Sequence, residues 1–199
     1  MNNNDSSKIK LYDALKNTYS SRDKQKKAFV NQGYVFDGDL SSNERQVYFN
    51  PTDKKLLYTV KGTNPFSLKD IGTDLYLAVG KLKDTNRFKQ EKATLEKARK
   101  KYNPLDTTIA GHSLGASLSS YIAGKNDKVI GYNKGATFGQ KMRPNETAYR
   151  TSGDAVSLLN TNSKRMTTLK NPNFKTGFLG LDALKAHDLS NIKDKNIFI

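Results

Sequence analysis

Gly111-His112-Ser113-Leu114-Gly115 reads G-x-S-x-G, a spacing that can lift a serine hydroxyl clear of a sheet on a sharp strand-to-helix turn. A serine held in this way can attack an acyl carbonyl, provided that a base takes its proton. The bare pattern arises by chance in roughly one chain in fifteen of this length, so the elements around it decide its meaning. Asp106-Thr107-Thr108-Ile109-Ala110 contains β-branched residues that favour an extended strand. Ala116-Ser117-Leu118-Ser119-Ser120-Tyr121-Ile122-Ala123 spaces its apolar residues as a helix does and ends at Gly124. Small residues beside the serine allow the tight turn. The start of the helix leaves the Leu114 backbone N–H free to meet an oxyanion. A second donor is expected from a loop after an earlier strand, and Lys61-Gly62-Thr63 ends such a strand, so Thr63 is the candidate.

The chain has two histidines. His112 is tied to the elbow beside the serine, where adjacent side chains diverge, and is expected to line the pocket wall or pack beneath it. His187 is left as the base. The carboxylates between Ser113 and His187 in the order Ser, Asp, His are Asp127, Glu146, Asp154 and Asp182. Asp154 follows a strand pattern, in Ser152-Gly153-Asp154-Ala155-Val156, where a strand's carboxyl end would present it beside the elbow. A turn or capping aspartate is the plainer alternative, and Asp182 is the competing orienter. Asp127 reads as a turn residue, and Asp188 is too close to His187 in sequence to orient it.

The positioning elements alternate along the chain. Residues 8–15 and 22–29 read as short helices. Gln46-Val47-Tyr48-Phe49 and Leu56-Leu57-Tyr58-Thr59-Val60 read as strands joined by a turn around Asn50-Pro51-Thr52-Asp53. A helix is expected at 70–79, and a basic amphipathic helix at 81–101 with Phe88, Leu95, Ala98 and Tyr102 on its apolar stripe. Later strands are expected at 128–132, 136–139, 147–151 and 166–169, with a helical turn before His187. Strands alternating with helices predict an α/β sheet in a single domain, spanning 8–199 behind a frayed polar tail at 1–7.

Composition narrows the classes. The 199 residues contain no cysteine, which excludes disulfides, thiol catalysis and cysteine-based zinc sites. No apolar run approaches the roughly 20 residues of a membrane span. The polar start Met1-Asn2-Asn3-Asn4-Asp5-Ser6-Ser7 lacks a signal-peptide core, so an intracellular or virion-associated protein is the expectation. Thirty-four basic residues against 19 acidic ones give a net charge of +15, which draws a surface to anionic lipid or nucleic acid. Nucleic-acid motifs are absent, and residues 81–101 read first as a solvated helix and second as an anionic-membrane contact.

Taken together, these motifs resemble the class 3 lipases, the fungal-type lipase family of α/β-hydrolases, from Tyr58 to about Ser190. Tyr58-Thr59-Val60-Lys61-Gly62-Thr63 resembles the family's strand and R-G-T oxyanion motif, with Lys for Arg. Asp70-Ile71-Gly72-Thr73-Asp74 is similar to D-W-x-x-D, and Ile109 to Ala116 to the G-H-S-L-G-G/A elbow. Thr137-Phe138-Gly139-Gln140 and Gly153-Asp154-Ala155-Val156 resemble T-F-G-x-P-R and D-P-V-P without the prolines. The resemblance implies an α/β-hydrolase-like, mostly parallel mixed sheet flanked by helices. It also implies Ser113 as nucleophile, Asp154 as orienter, His187 as base, and Thr63 and Leu114 as oxyanion donors. The expected activity is carboxylic-ester hydrolysis on glycerides or phospholipids through an acyl-enzyme, with no metal or cofactor. The alternative is a non-catalytic basic protein on a retained hydrolase fold that binds an anionic membrane, nucleic acid or a virion partner.

Overall fold

Alternation of side chains along the strands sorts the core into two layers. In the computed structural model, which describes residues 8–62, 82–135, 140–160, 162–171 and 185–199, seven strands form one sheet in the order β1 to β7. They are β1 (Val35–Phe36), β2 (Arg45–Asn50), β3 (Lys55–Val60), β4 (Asp106–His112), β5 (Lys128–Tyr132), β6 (Glu146–Thr151) and β7 (Thr167–Leu169). β2 runs antiparallel to β1 and β3, whereas β3 through β7 are parallel. The tail at 1–7, the expected helix at 70–79, the expected strand at 136–139, Thr63 and Asp182 lie outside the described residues.

The helices are α1 (Leu11–Asn17), α2 (Arg22–Lys27), α3 (Asn86–Tyr102), α4 (Leu114–Ile122) and α5 (Ala155–Leu158). Leu56, Tyr58, Val60, Ile109 and Val129 point to one face, where Leu95 and Ala98 of α3 and Leu118 and Ile122 of α4 cover them. Their neighbours Leu57, Ala110 and Ile130 point to the other face, under Leu11, Ala14 and Leu15 of α1 and under Leu189 and Ile192. A period of two in the strands thus places α3 and α4 opposite α1. His112 continues the parity of Ala110, so its ring faces the α1 layer.

Local chemistry moves several boundaries away from those expected. The helix read at 22–29 stops at Lys27 because Ala28 is extended and Phe29 is left-handed, with φ 62°. The basic stretch splits at Thr85, whose hydroxyl donates to the Leu82 carbonyl at 2.7 Å and accepts from the Phe88 N–H at 3.1 Å. That side-chain cap starts α3 after a 3-10 turn over Leu82–Asp84. The two-residue β1 had no legible pattern of its own. No helix among the described residues is long and apolar enough to cross a membrane.

Candidate active site

The carboxyl ends of the parallel strands gather the chemistry, as open α/β sheets tend to do. Ser113 follows β4 directly, with φ 56° and ψ −125°, a conformation that L-residues rarely adopt and that surrounding structure must hold. Its N–H donates to the Tyr132 carbonyl at 3.0 Å, and its own carbonyl accepts from Gly135 at 3.2 Å. The end of β5 and the loop after it therefore grip the elbow through both backbone polar groups of Ser113. Two glycines let the turn close. A Cβ on Gly115 would sit 2.8 Å from the Lys61 backbone, and one on Gly111 would sit 2.6 Å from the Ala116 nitrogen. Leu114 opens α4, and its N–H has no acceptor among the described residues. Thr63, the expected second donor, is outside the described residues, although the preceding Gly62 lies against the elbow: a Cβ there would sit 3.2 Å from that of Ser113.

Asp154 and His187 meet across 33 residues of chain, with His187 Nδ1 2.9 Å from Asp154 Oδ1. Both are closed to solvent, with side-chain exposures of 0% for Asp154 and 2% for His187. The plainer reading of Asp154 as a capping residue also holds. Its carboxylate accepts from the Val156 and Ser157 N–H groups at the start of α5. One carboxylate thus starts a helix and orients an imidazole. Burial pushes the Asp154 carboxyl up, but the His187 charge and hydrogen bond and the Ser157 donors outweigh it and hold the group below the ordinary carboxylate value. The other weighed carboxylates among the described residues are used elsewhere. Asp127 pairs with Arg99, Glu146 is buried against Lys134, and Asp188 accepts from the Ser190 N–H.

His187 Nε2 is buried and has no hydrogen-bond partner among the described residues. It is the atom that would receive the serine proton, and the Ser113 hydroxyl does not rest on it here. Ser113 itself is 1% exposed. His112 packs against the His187 ring, 4.7 Å away, and stacks on Tyr132 at 5.5 Å. Burial, reinforced by the neighbouring His187, lowers its pKa to about 3, which keeps it neutral.

Two contributors escaped the sequence reading. Asn133, left-handed at φ 44°, follows β5. Its amide nitrogen donates to the Ala186 and His187 carbonyls at 3.0 and 3.2 Å, and its oxygen accepts from the Thr151 N–H at 2.8 Å. It ties the base segment to the strand that leads to Asp154. An asparagine at a strand end, followed by Lys134-Gly135, is a turn signal that could have marked it. The other is Tyr19, which has no such signal.

A cavity of about 560 Å³ lies at the opposite end of the sheet, among Lys55, Asp106 and Lys128 at the starts of β3, β4 and β5. It holds none of the residues above. Among the described residues no group of three His, Asp or Glu is placed to hold a metal ion.

Comparison with solved structures matches this architecture. The Lip2 lipase from Yarrowia lipolytica aligns over 75% of this chain and 71% of its own, with a TM-score of 0.50 and 15% identity. A mutant form of MDLA from Penicillium cyclopium aligns over 89% of this chain and 91% of its own, with a TM-score of 0.51 and 14% identity. No family model and no curated protein sequence matches the chain. At these identities the likeness shows the fold, the α/β-hydrolase-like fold of the fungal-type lipases, and the chemistry must be argued from the site.

Proposed function

We propose that this chain, folded as the fungal-type lipases are, is a serine ester hydrolase acting on acyl glycerides or phospholipids. The observation that carries the reading is the buried Asp154–His187 pair at 2.9 Å, with His187 Nε2 left open beside a serine elbow. In the proposed cycle Ser113 Oγ attacks the acyl carbonyl carbon as His187 Nε2 takes its proton. Asp154 stabilises the imidazolium and keeps the reactive nitrogen turned towards the serine. The Leu114 N–H and Thr63 donate to the oxyanion. His187 then protonates the leaving alkoxide, the alcohol departs, and an acyl-enzyme remains. Water attacks it with His187 as base, which releases the acid and restores Ser113.

Anionic lipid is the favoured surface. Lys89, Lys92, Lys97 and Lys100 are exposed on α3 and span about 140° of its circumference at 100° per residue. Glu91, on the opposite side, is buried against Arg45 and Tyr58, and Glu96, the one acid within the stripe, pairs with Arg99. The deciding experiment treats wild type and Ser113→Ala with a fluorophosphonate probe and a short-chain ester. Labelling at Ser113 alone, with hydrolysis falling by several orders of magnitude in the variant, is expected. Labelling of another serine, or hydrolysis that survives in Ser113→Ala, would overturn the assignment.

A further inference from the structure

The geometry points to a relay, Gly62–Tyr19–His112–His187, in which Tyr19 and His112 are positioning residues that lock the oxyanion strand, the elbow and the base segment into one unit. His112 Nε2 lies 2.9 Å from the His187 carbonyl oxygen. A carbonyl can only accept, so Nε2 carries the proton. A neutral ring then has a bare Nδ1, and His112 is neutral because it is buried. The Tyr19 hydroxyl lies 3.4 Å from that Nδ1 and must therefore be the donor. Gly62 lies against that hydroxyl, since a Cβ there would sit 3.2 Å from the Tyr19 oxygen. The direction along this line is fixed: Tyr19 O–H to His112 Nδ1, His112 Nε2–H to the His187 carbonyl, with Gly62 packed against the Tyr19 hydroxyl.

The topology explains why these groups meet. Gly62 follows β3, His112 ends β4 on the face that α1 covers, and Tyr19 sits in the turn after α1. The Lys61 ammonium, 4.8 Å above the Tyr19 ring, holds the ring in place from the strand side. The His187 carbonyl takes its second hydrogen bond from Asn133 at 3.2 Å, so both of its lone pairs are engaged. The base is thereby held by its side chain through Asp154 and by its main chain through the elbow that carries the nucleophile. A shift of either would carry the other with it, which keeps the proton donor and acceptor in register.

The kinetic arm of the test rests on the hydrolase reading, and the spectroscopic arm does not. In 15N-labelled wild type, His112 should carry its proton on Nε2 with Nδ1 bare across neutral pH; a proton on Nδ1 overturns the relay. Tyr19→Phe keeps the ring and removes the hydroxyl. At a temperature where both proteins are fully folded, kcat for a short-chain ester should fall about tenfold with KM within about twofold. His112→Phe should lose more, and His112→Gln, which retains an N–H able to reach the His187 carbonyl, should recover most of that loss. A purely structural role would move Tm and leave kcat alone, so an unchanged kcat in Tyr19→Phe overturns the proposal. A wild type with His112 protonated on Nε2 but without esterase activity would refute the hydrolase reading and leave the relay standing.

Discussion

Replacing Gly115 with alanine would drive a methyl group between α4 and the end of β3. The new Cβ would meet the Lys61 carbonyl carbon and oxygen at 2.8 Å and approach the Val60 carbonyl oxygen more closely still, whereas ordinary contact begins at 3.4 Å. These are backbone atoms of a paired strand, so no rotamer change relieves the overlap, and α4 must retreat by roughly 1 Å. Overpacking of this kind costs about 3 kcal/mol, and the better helix propensity of alanine returns about 1, for a net loss near 2 kcal/mol. For a chain of this size that lowers Tm by about 4–8 °C. The elbow rides on the same helix, so a displacement near 1 Å should slow phosphonylation of Ser113 by about 100-fold. Thermal unfolding and the rate of fluorophosphonate labelling read the two effects separately. Gly124→Ala is the control, because its Cβ would meet the Arg99 Nη2 at 3.1 Å and the Asp127 Oδ2 at 3.4 Å, side-chain atoms that can move aside. Wild-type Tm and labelling rate in Gly115→Ala would refute the close-approach argument.

Asp154→Asn keeps an acceptor for the α5 cap but turns an amide N–H towards His187 Nδ1, which forces the wrong tautomer. Ester turnover should drop roughly 10⁴-fold in a folded protein, and activity retained there but lost in Asp182→Asn would move the role to Asp182. The His112 value of about 3 lies below its unfolded value, so the native state binds fewer protons than the unfolded one between the two. Stability is therefore complete above about pH 6.5 and is lost as pH falls towards 3, at up to about 1.4 kcal/mol per unit. Urea midpoints between about pH 7 and 4.5 should show this slope in wild type and lack it in His112→Gln, and parallel slopes would refute it. Changing Lys89, Lys92, Lys97 and Lys100 to Gln should weaken binding to phosphatidylglycerol vesicles at least about tenfold at low salt. Hydrolysis of a soluble ester should be untouched, and wild-type vesicle binding by the variant would remove the membrane role from α3.

The parts of the site that impose a backbone demand are legible in the amino-acid sequence. A serine between two glycines, after β-branched residues and before a helical run, describes the Ser113 elbow because only small neighbours tolerate that turn. Asp154 is legible because it follows a strand, and its capping role is legible for the same local reason. His187 is reached by counting histidines. What stays hidden depends on distant chain. Tyr19 meets His112 across 93 residues, and Asn133 meets His187 across 54. Neither partner leaves a trace in the other's local pattern. The split of the basic stretch at Thr85 is a smaller omission, since a threonine ahead of a helical run is a cap signal.

The sheet grows in chain order, each parallel strand adding beside the one before it, so β3 through β7 can assemble as they are synthesised. The layer over the other face cannot. Leu11 N–H donates to the Ile197 carbonyl at 2.8 Å, Ile199 N–H to the Ile9 carbonyl at 3.0 Å, and Lys10 bridges Phe198. Residues 9–11 must wait for 197–199, and α1, with Tyr19 in the turn after it, waits with them. The loop that closes between them spans residues 12–196, a long-range contact of the slowest kind to form. Under the proposed hydrolase reading, labelling of Ser113 should therefore appear abruptly once residues 9–11 have met 197–199, after the sheet is complete.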